Sequence, residues 1–379
     1  VRFAFTEEQE ALRQTARAFL AEHSDSKAVR AAMQGERGFS PELWKRIATE
    51  LGWPALAIPE AYGGLGLGPV ELAALLEPMG EALLCAPFFS SLCLGANALL
   101  AAGSEAQKRE WLPAIAEGRC LATLASAEAG AGWDPAGIET LARPVEGGFA
   151  LQGRKRYVLD GHGADLLVVA ARREGTRGAQ GIALFAVPAE TKGLSRRALP
   201  TLDQTRRLAE VELHGARVPA SAQLGDETTG GAALERCLDL ARVALAAEQV
   251  GGAQRCLDLA VAHAKSRVQF GRPIGSFQAI QHRCADLLLR VESARSAAWY
   301  AACVAAEGQG DLACTASLAK AVCAEAYFAA AADALQIHGG VGFTWEYDVH
   351  LHLKRARFGE SFLGDPAWHR ERVARRIGL

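Results

Sequence analysis

The spacing of apolar positions changes period twice along the chain. From Thr6, Leu12, Ala16, Phe19 and Leu20 recur at helical spacing. Thr6 and Gln9 form a capping-box pattern, and Glu7 and Glu8 suit a helix N-terminus. "SPELWKRIATELGW" opens with a serine cap and a first-turn proline, and "GPVELAALLEPMGEAL" and "SEAQKREWLPAIAEG" also predict helices. Near Arg119 the period shortens to alternation. "GGFALQGRKRYVLDGHGADLLVVAARR", "GIALFAVPAE" and "RRLAEVELHGARVPAS" are β-rich runs punctuated by turn residues. From Gly230 three long Ala- and Leu-rich helices follow, the third closed by the pair Gly339-Gly340. A last helix is expected from about Trp345 or Asp348 into "RFGESFLGDPAWHRER". The pattern predicts a mainly α chain with a central β domain. It has an N-terminal helical domain over 1–118, a middle β domain over 119–226 and an antiparallel four-helix bundle over 227–379.

Composition removes several function classes. A chain of 379 residues, half of them hydrophobic, supports two or three cores. A net charge of -2 offers no basic surplus for nucleic acid or an acidic membrane. Nine cysteines without a CxxC pair or regular spacing suggest buried thiols in a reducing cytoplasm and no metal site. The N-terminal stretch is an amphipathic helix with early acids, unlike a signal peptide. Apolar runs look broken before the roughly 18 residues of a membrane span, so a soluble, cytoplasmic protein without membrane insertion is expected.

Four local sequences carry the chemistry: "AEAGAGWD" (127–134), "RVQFGRPIGSFQAIQH" (267–282), "LQIHGGVGFTWEYD" (335–348) and "RFGESFLGD" (357–365). Taken singly, Arg267 could simply suit a helix C-terminus and the glycine pair could be a plain cap. In combination, and in this domain order, they resemble the acyl-CoA dehydrogenase family of flavoproteins over essentially the whole chain. The resemblance implies that family's fold, with a β-barrel-like middle domain. It implies an FAD-dependent oxidoreductase of lipid metabolism that desaturates the α,β bond of an acyl-CoA thioester. It also implies an electron-transfer flavoprotein as acceptor. The family uses residues matching Arg267, Gln269, Phe270, Gln278, Gln336, Gly339 and Gly340 on an FAD whose ring is held mainly by a neighbouring subunit.

The remainder of the family's site is altered. Its T-E-P-G-A-G-S-D motif is here Ala127 to Asp134, with Ala127 for the threonine and Trp133 for the serine. Its W-I-T-N-G motif is Tyr157 to Gly161, with Leu159 at the threonine expected near flavin N5. Deprotonation at the substrate's Cα needs a carboxylate within hydrogen-bond reach. The family's usual glutamate, before the glycine matching Gly364, falls on Leu363, and the alternative one, before the arginine matching Arg242, falls on Ala241. No catalytic residue is therefore assigned. Glu360, Asp365 and Glu248 stay open as relocated bases, and His338 as packing or phosphate contact. Asp239 and Arg242 keep a D-x-x-R spacing that suits either a CoA arm or an i,i+3 ion pair.

The chain is similar to the small or β-type subunits of heteromeric bacterial enzymes for steroid side-chain or pimeloyl-type acyl-CoAs. That likeness implies a homologous partner bearing the catalytic glutamate, in an α2β2 heterotetramer with two FAD. The alternatives are a self-sufficient homotetramer with Glu360 or Glu248 as base, and a flavin-free acyl-CoA-binding or structural subunit.

Overall fold

The computed structural model describes residues 5–130 and 132–379; Ala131 of the 127–134 motif lies outside the described residues. In chain order the first helices are α1 (Glu7–His23), α2 (Ser26–Gln34), α3 (Pro41–Thr49), α4 (Pro69–Glu81), α5 (Asn97–Ala102) and α6 (Glu105–Ala116). Eight strands follow: β1 (Ala122–Ala125), β2 (Leu141–Val145), β3 (Gly148–Leu159), β4 (Leu166–Arg173), β5 (Ile182–Pro188), β6 (Leu194–Ala198), β7 (Leu208–Pro219) and β8 (Gln223–Leu224). Then come α7 (Gly230–Ser266), the short strands β9 (Val268–Gln269) and β10 (Arg272–Pro273), α8 (Gln278–Glu307), α9 (Leu312–His338), α10 (Val349–Ser361) and α11 (Pro366–Arg376). These elements divide into two compact units. One contains residues up to Ala31, Pro69–Leu84 and Arg242–Leu379; the other contains Ala32–Gly68 and Cys85–Ala241.

The first unit is helical. The capping box of α1 forms as expected: Gln9 N donates to Thr6 Oγ1 and Thr6 N to Gln9 Oε1. Its core joins Cys256, Leu257 and Ala260 of α7, Leu287 and Val291 of α8, Tyr327, Ala330 and Ala334 of α9, and Val349 and Ala356 of α10. Alanine at so many facing positions lets the helix backbones come close. The approach is closest between α4 and α7, where a Cβ on Gly251 would fall 1.8 Å from Glu77 O. Only glycine is tolerated at such a crossing.

Two expectations change here. By length and composition, Leu312–Phe343 would suffice for a membrane span, so the apolar runs are not all broken as the sequence suggested. Over half of that window is buried inside the protein, as in a core helix. The expected last helix is also two helices, α10 and α11, interrupted over 362–365. Asp365 caps α11 by accepting from Trp368 N at 2.8 Å, and Pro366 opens its first turn.

The second unit carries the eight-stranded sheet, ordered β6-β7-β3-β2-β4-β5-β8, with β1 parallel to β4. Most pairs are antiparallel, and β2 runs parallel to β4 through Leu141↔Arg172 and Ala142↔Arg173. β4 is buried from Leu166 to Arg172, which explains its nearly continuous apolar sequence. Leu151, Val158, Val169, Phe185, Val187, Val211 and Leu213 form the core of the sheet.

Candidate functional site

The expected phosphate-binding residues leave from two helix ends of the first unit. Arg267 follows the last turn of α7. Its backbone N donates to His263 O at 2.8 Å, and its carbonyl accepts from Ile274 N at 2.8 Å. Pairing of Gln269 with Arg272 then folds a tight ribbon. Its turn holds Phe270 at φ 55° and Gly271 at φ 77°. Phe270 is 91 % exposed, packs edge-on to Phe277 and sits one residue from Gln269. Gln278 opens α8, and Gln336 lies in the last turn of α9. Gly339 ends that helix at φ 63° and ψ -145°, a region essentially restricted to glycine.

All seven residues are solvent-exposed. Among the described residues, the Arg267 guanidinium has no side-chain partner, so its fork of donors is free. A free guanidinium and exposed carboxamides suit the oxygens of a pyrophosphate, and a glycine pair lets them approach the backbone; the Gly339 N–H itself closes α9 on Leu335 O and Gln336 O. His338 is buried instead, and its Nδ1 donates to Ala334 O at 2.7 Å, which makes it a packing residue.

The motifs of the second unit have a different character. Ala127, Val158 and Leu159 are buried, and Trp133 is half-buried. The Leu159 carbonyl accepts from Thr123 Oγ1 at 2.7 Å. Glu128 is buried and fully engaged. It accepts from Lys155 Nζ at 2.5 Å, Thr140 Oγ1 at 2.7 Å, Thr140 N at 3.0 Å and Glu139 N at 2.8 Å. Burial pulls the Lys155 amine down to about 8, opposed by the Glu128 carboxylate. Asp160 accepts from Ser90 Oγ at 2.6 Å. At the positions that the family resemblance assigns to the flavin ring, Ala127 and Leu159 supply no side-chain donor, and an unpaired ring atom buried there would cost about 1–3 kcal/mol.

The two positions where the resemblance would place a base, Leu363 and Ala241, are fully buried and apolar. Leu363 adopts φ 63° in the break between α10 and α11. Three basic side chains grip that break from three helices. Arg242 Nε on α7 donates to Leu363 O at 3.1 Å, as does His369 Nε2 on α11 at 3.1 Å. Lys320 Nζ on α9 donates to Gly364 O at 3.0 Å. The Arg242 guanidinium also lies 5.0 Å over the Trp368 ring. Burial drives the Lys320 amine down to about 7, with Arg242 adding repulsion. Burial, then Arg242 and Lys320, drive His369 down to about 2, so its imidazole is neutral. Lys320 and His369 went unnoticed in the sequence. The available signal was Lys320 as the lone charge in the apolar run from Leu312 to Ala324.

The candidate replacement carboxylates are engaged elsewhere. Glu248 is buried and paired with the equally buried Arg355 at 2.8 Å. Glu360 pairs with Arg357 one turn away on α10. Asp365 is the helix cap already described. Asp239 and Arg242 are both buried on α7.

Five described residues other than glycine have positive φ: Leu83, Tyr157, Asp160, Phe270 and Leu363. Four of these lie in the motif segments. Such conformations persist where surrounding structure enforces them, typically at functional sites.

Comparison with known proteins covers the chain end to end. Family profiles described as acyl-CoA dehydrogenase N-terminal, middle and C-terminal domains match residues 6–119, 123–216 and 228–378. The acyl-CoA dehydrogenase IpdE2 of Mycolicibacterium smegmatis is 36% identical over 95% of this chain and 96% of its own length. The solved butyryl-CoA dehydrogenase of Megasphaera elsdenii superposes with a TM-score of 0.91 at 27% identity, covering all of both chains. The ChsE4-ChsE5 complex of Mycobacterium tuberculosis gives a TM-score of 0.89 at 28% identity, over 100% of this chain and 99% of that one. A variant of the Tcur3481-Tcur3483 steroid ACAD gives 0.88 at 32%, over 98% of each.

Proposed function

Because the chain belongs to the acyl-CoA dehydrogenase family, FAD-dependent oxidoreductases acting on acyl-CoA, we propose that it is the subunit without the base in a heteromeric dehydrogenase. A homologous partner brings the catalytic glutamate and the flavin-ring motifs. This chain brings Arg267, Gln269, Phe270, Gln278, Gln336, Gly339 and Gly340 to the phosphate half of the partner's FAD. The observation that carries the reading is the contrast within one chain. The set matching the family's phosphate contacts is intact and exposed, with the Arg267 guanidinium unpaired among the described residues, while the positions matching the base are buried leucine and alanine and the nearby acids are already paired.

When bound, FAD would supply the acceptor for a hydride from the acyl β-carbon. Arg267 would neutralise pyrophosphate charge, and the Gly339–Gly340 backbone would let the phosphates approach closely. The exposed Phe270 would cover apolar cofactor or partner surface at the edge of that contact. The names of the ChsE4-ChsE5 complex and the Tcur3481-Tcur3483 steroid ACAD support a two-component assembly and a bulky acyl group. We infer an α2β2 complex with two FAD, passing electrons to an electron-transfer flavoprotein.

The test is to purify the chain after co-expression with homologous dehydrogenases and to measure subunit ratio and flavin content. The expected result is a 1:1 complex with one FAD per pair and a partner bearing glutamate before its C-terminal glycine. A yellow homotetramer of this chain that oxidises acyl-CoA unaided would overturn the proposal. A colourless complex would favour a flavin-free role instead.

A further inference from the structure

We propose that the stacked rings of His263 and His338 are a positioning element: they hold the end of α7, which carries Arg267, in register with the end of α9, which carries Gln336, Gly339 and Gly340. The inference rests on the reading of those residues as a phosphate grip, and it assigns a role to two side chains outside that set.

The rings lie 4.2 Å apart, centroid to centroid, and within 22° of parallel. Each is tied to one arm of the grip. His338 Nδ1 donates to Ala334 O one turn back, which fixes its ring on α9 directly before Gly339. The His263 carbonyl accepts from Arg267 N, so the residue that contributes the second ring also anchors the arginine backbone. Tyr347 packs edge-on against both rings, at 6.3 Å from His263 and 5.6 Å from His338. The turn after the glycine pair folds onto the same stack, since a Cβ on Gly342 would lie 3.0 Å from His338 Cβ.

Among the described residues, no side-chain hydrogen bond joins 263–269 to 336–340. The ring stack is therefore the directional contact between the arms, added to the non-directional packing of Ala264, Leu335 and Ile337. A flat ring resists sliding and tilting in a way that an aliphatic contact does not. Burial, with His338 and Arg267 nearby, lowers the proton affinity of His263.

The test uses the full-length chain and ADP as a probe for the phosphate half of the cofactor. ADP affinity is measured by calorimetry for the wild type, Arg267→Ala, His263→Ala and His263→Phe, with amide hydrogen exchange at Gly339 and Gly340 read in the absence of ligand. Arg267→Ala is expected to weaken ADP binding by roughly tenfold or more, as loss of a charge-assisted hydrogen bond does. His263→Ala is expected to weaken it several-fold and to speed exchange at both glycines. His263→Phe keeps a flat ring and should restore both properties, a rescue that loss of general stability would not show. If His263→Ala binds ADP and exchanges like the wild type while Arg267→Ala loses binding, the positioning role is wrong and the grip stands. If the wild type takes up no ADP, or Arg267→Ala binds it equally well, the grip itself fails and this inference falls with it.

Discussion

The phosphate-grip segments and the break at Leu363 belong to the same helical unit, yet they treat their polar groups in opposite ways. In the grip, Arg267, Gln269, Gln278 and Gln336 stand exposed on a backbone shaped by Phe270 and Gly339. In the break, Arg242, Lys320 and His369 all turn inward and donate to the carbonyls of Leu363 and Gly364. A working binding site leaves donors unsatisfied until the ligand arrives. In the break the buried donors are spent on backbone carbonyls, because a buried donor left unpaired costs about 1–3 kcal/mol. Leu363 itself is held in the left-handed region at φ 63°.

The sharpest way to break this contrast is Glu248→Ala. If Glu248 is structural, its loss takes a carboxylate partner from the buried Arg355 and should cost up to about 3–5 kcal/mol in urea denaturation. A variant of unchanged stability that loses turnover would make Glu248 a catalytic base. Next is Arg267→Ala, expected to weaken FAD retention by the complex by about 1.5–3 kcal/mol, roughly 10- to 100-fold, with little change in thermal stability. Flavin fluorescence of the diluted complex measures the first, and a melting curve the second.

Acid should probe the buried region on its own. His369 and His352 are held near 2 and 3 by burial and neighbouring cations, so the folded protein keeps both neutral. The unfolded chain binds their protons from about pH 6.5 downward. Stability should therefore fall as pH drops from 6.5 towards 3, by up to about 1.4 kcal/mol per pH unit for each histidine. His369→Gln should flatten that slope by one site's share, read from urea midpoints at several pH values. Lys320 works in the other range. Its folded value near 7 lies below the ordinary lysine value, so its contribution improves as pH rises from about 7 to 10.5. The smallest effect is Glu360→Gln, which breaks a short-range pair on α10. It should change stability by less than about 1 kcal/mol and leave the turnover of the complex intact.

Contiguous sequence was informative where geometry is local. The cap at Thr6, the end of α7 before Arg267 and the glycine terminus of α9 each depend on residues within a turn or two, and all could be anticipated. The break between α10 and α11 was also written locally, in Gly364, Asp365 and Pro366. It was missed because helical periodicity continues on both sides. Glu248 and Glu360 looked alike as spare carboxylates. Only the partner of Glu248, 107 residues away on α10, separates a buried ion pair from a surface one. The clamp on Leu363 was beyond reach for the same reason, since its three donors come from α7, α9 and α11.

The sequence by itself therefore determined the order of helical and β segments and the family, because periodicity, caps and short motifs act over a few residues. The tertiary structure decided which polar side chains remain available. Availability depends on burial and on partners that meet only when distant helices pack, and a one-dimensional pattern carries neither.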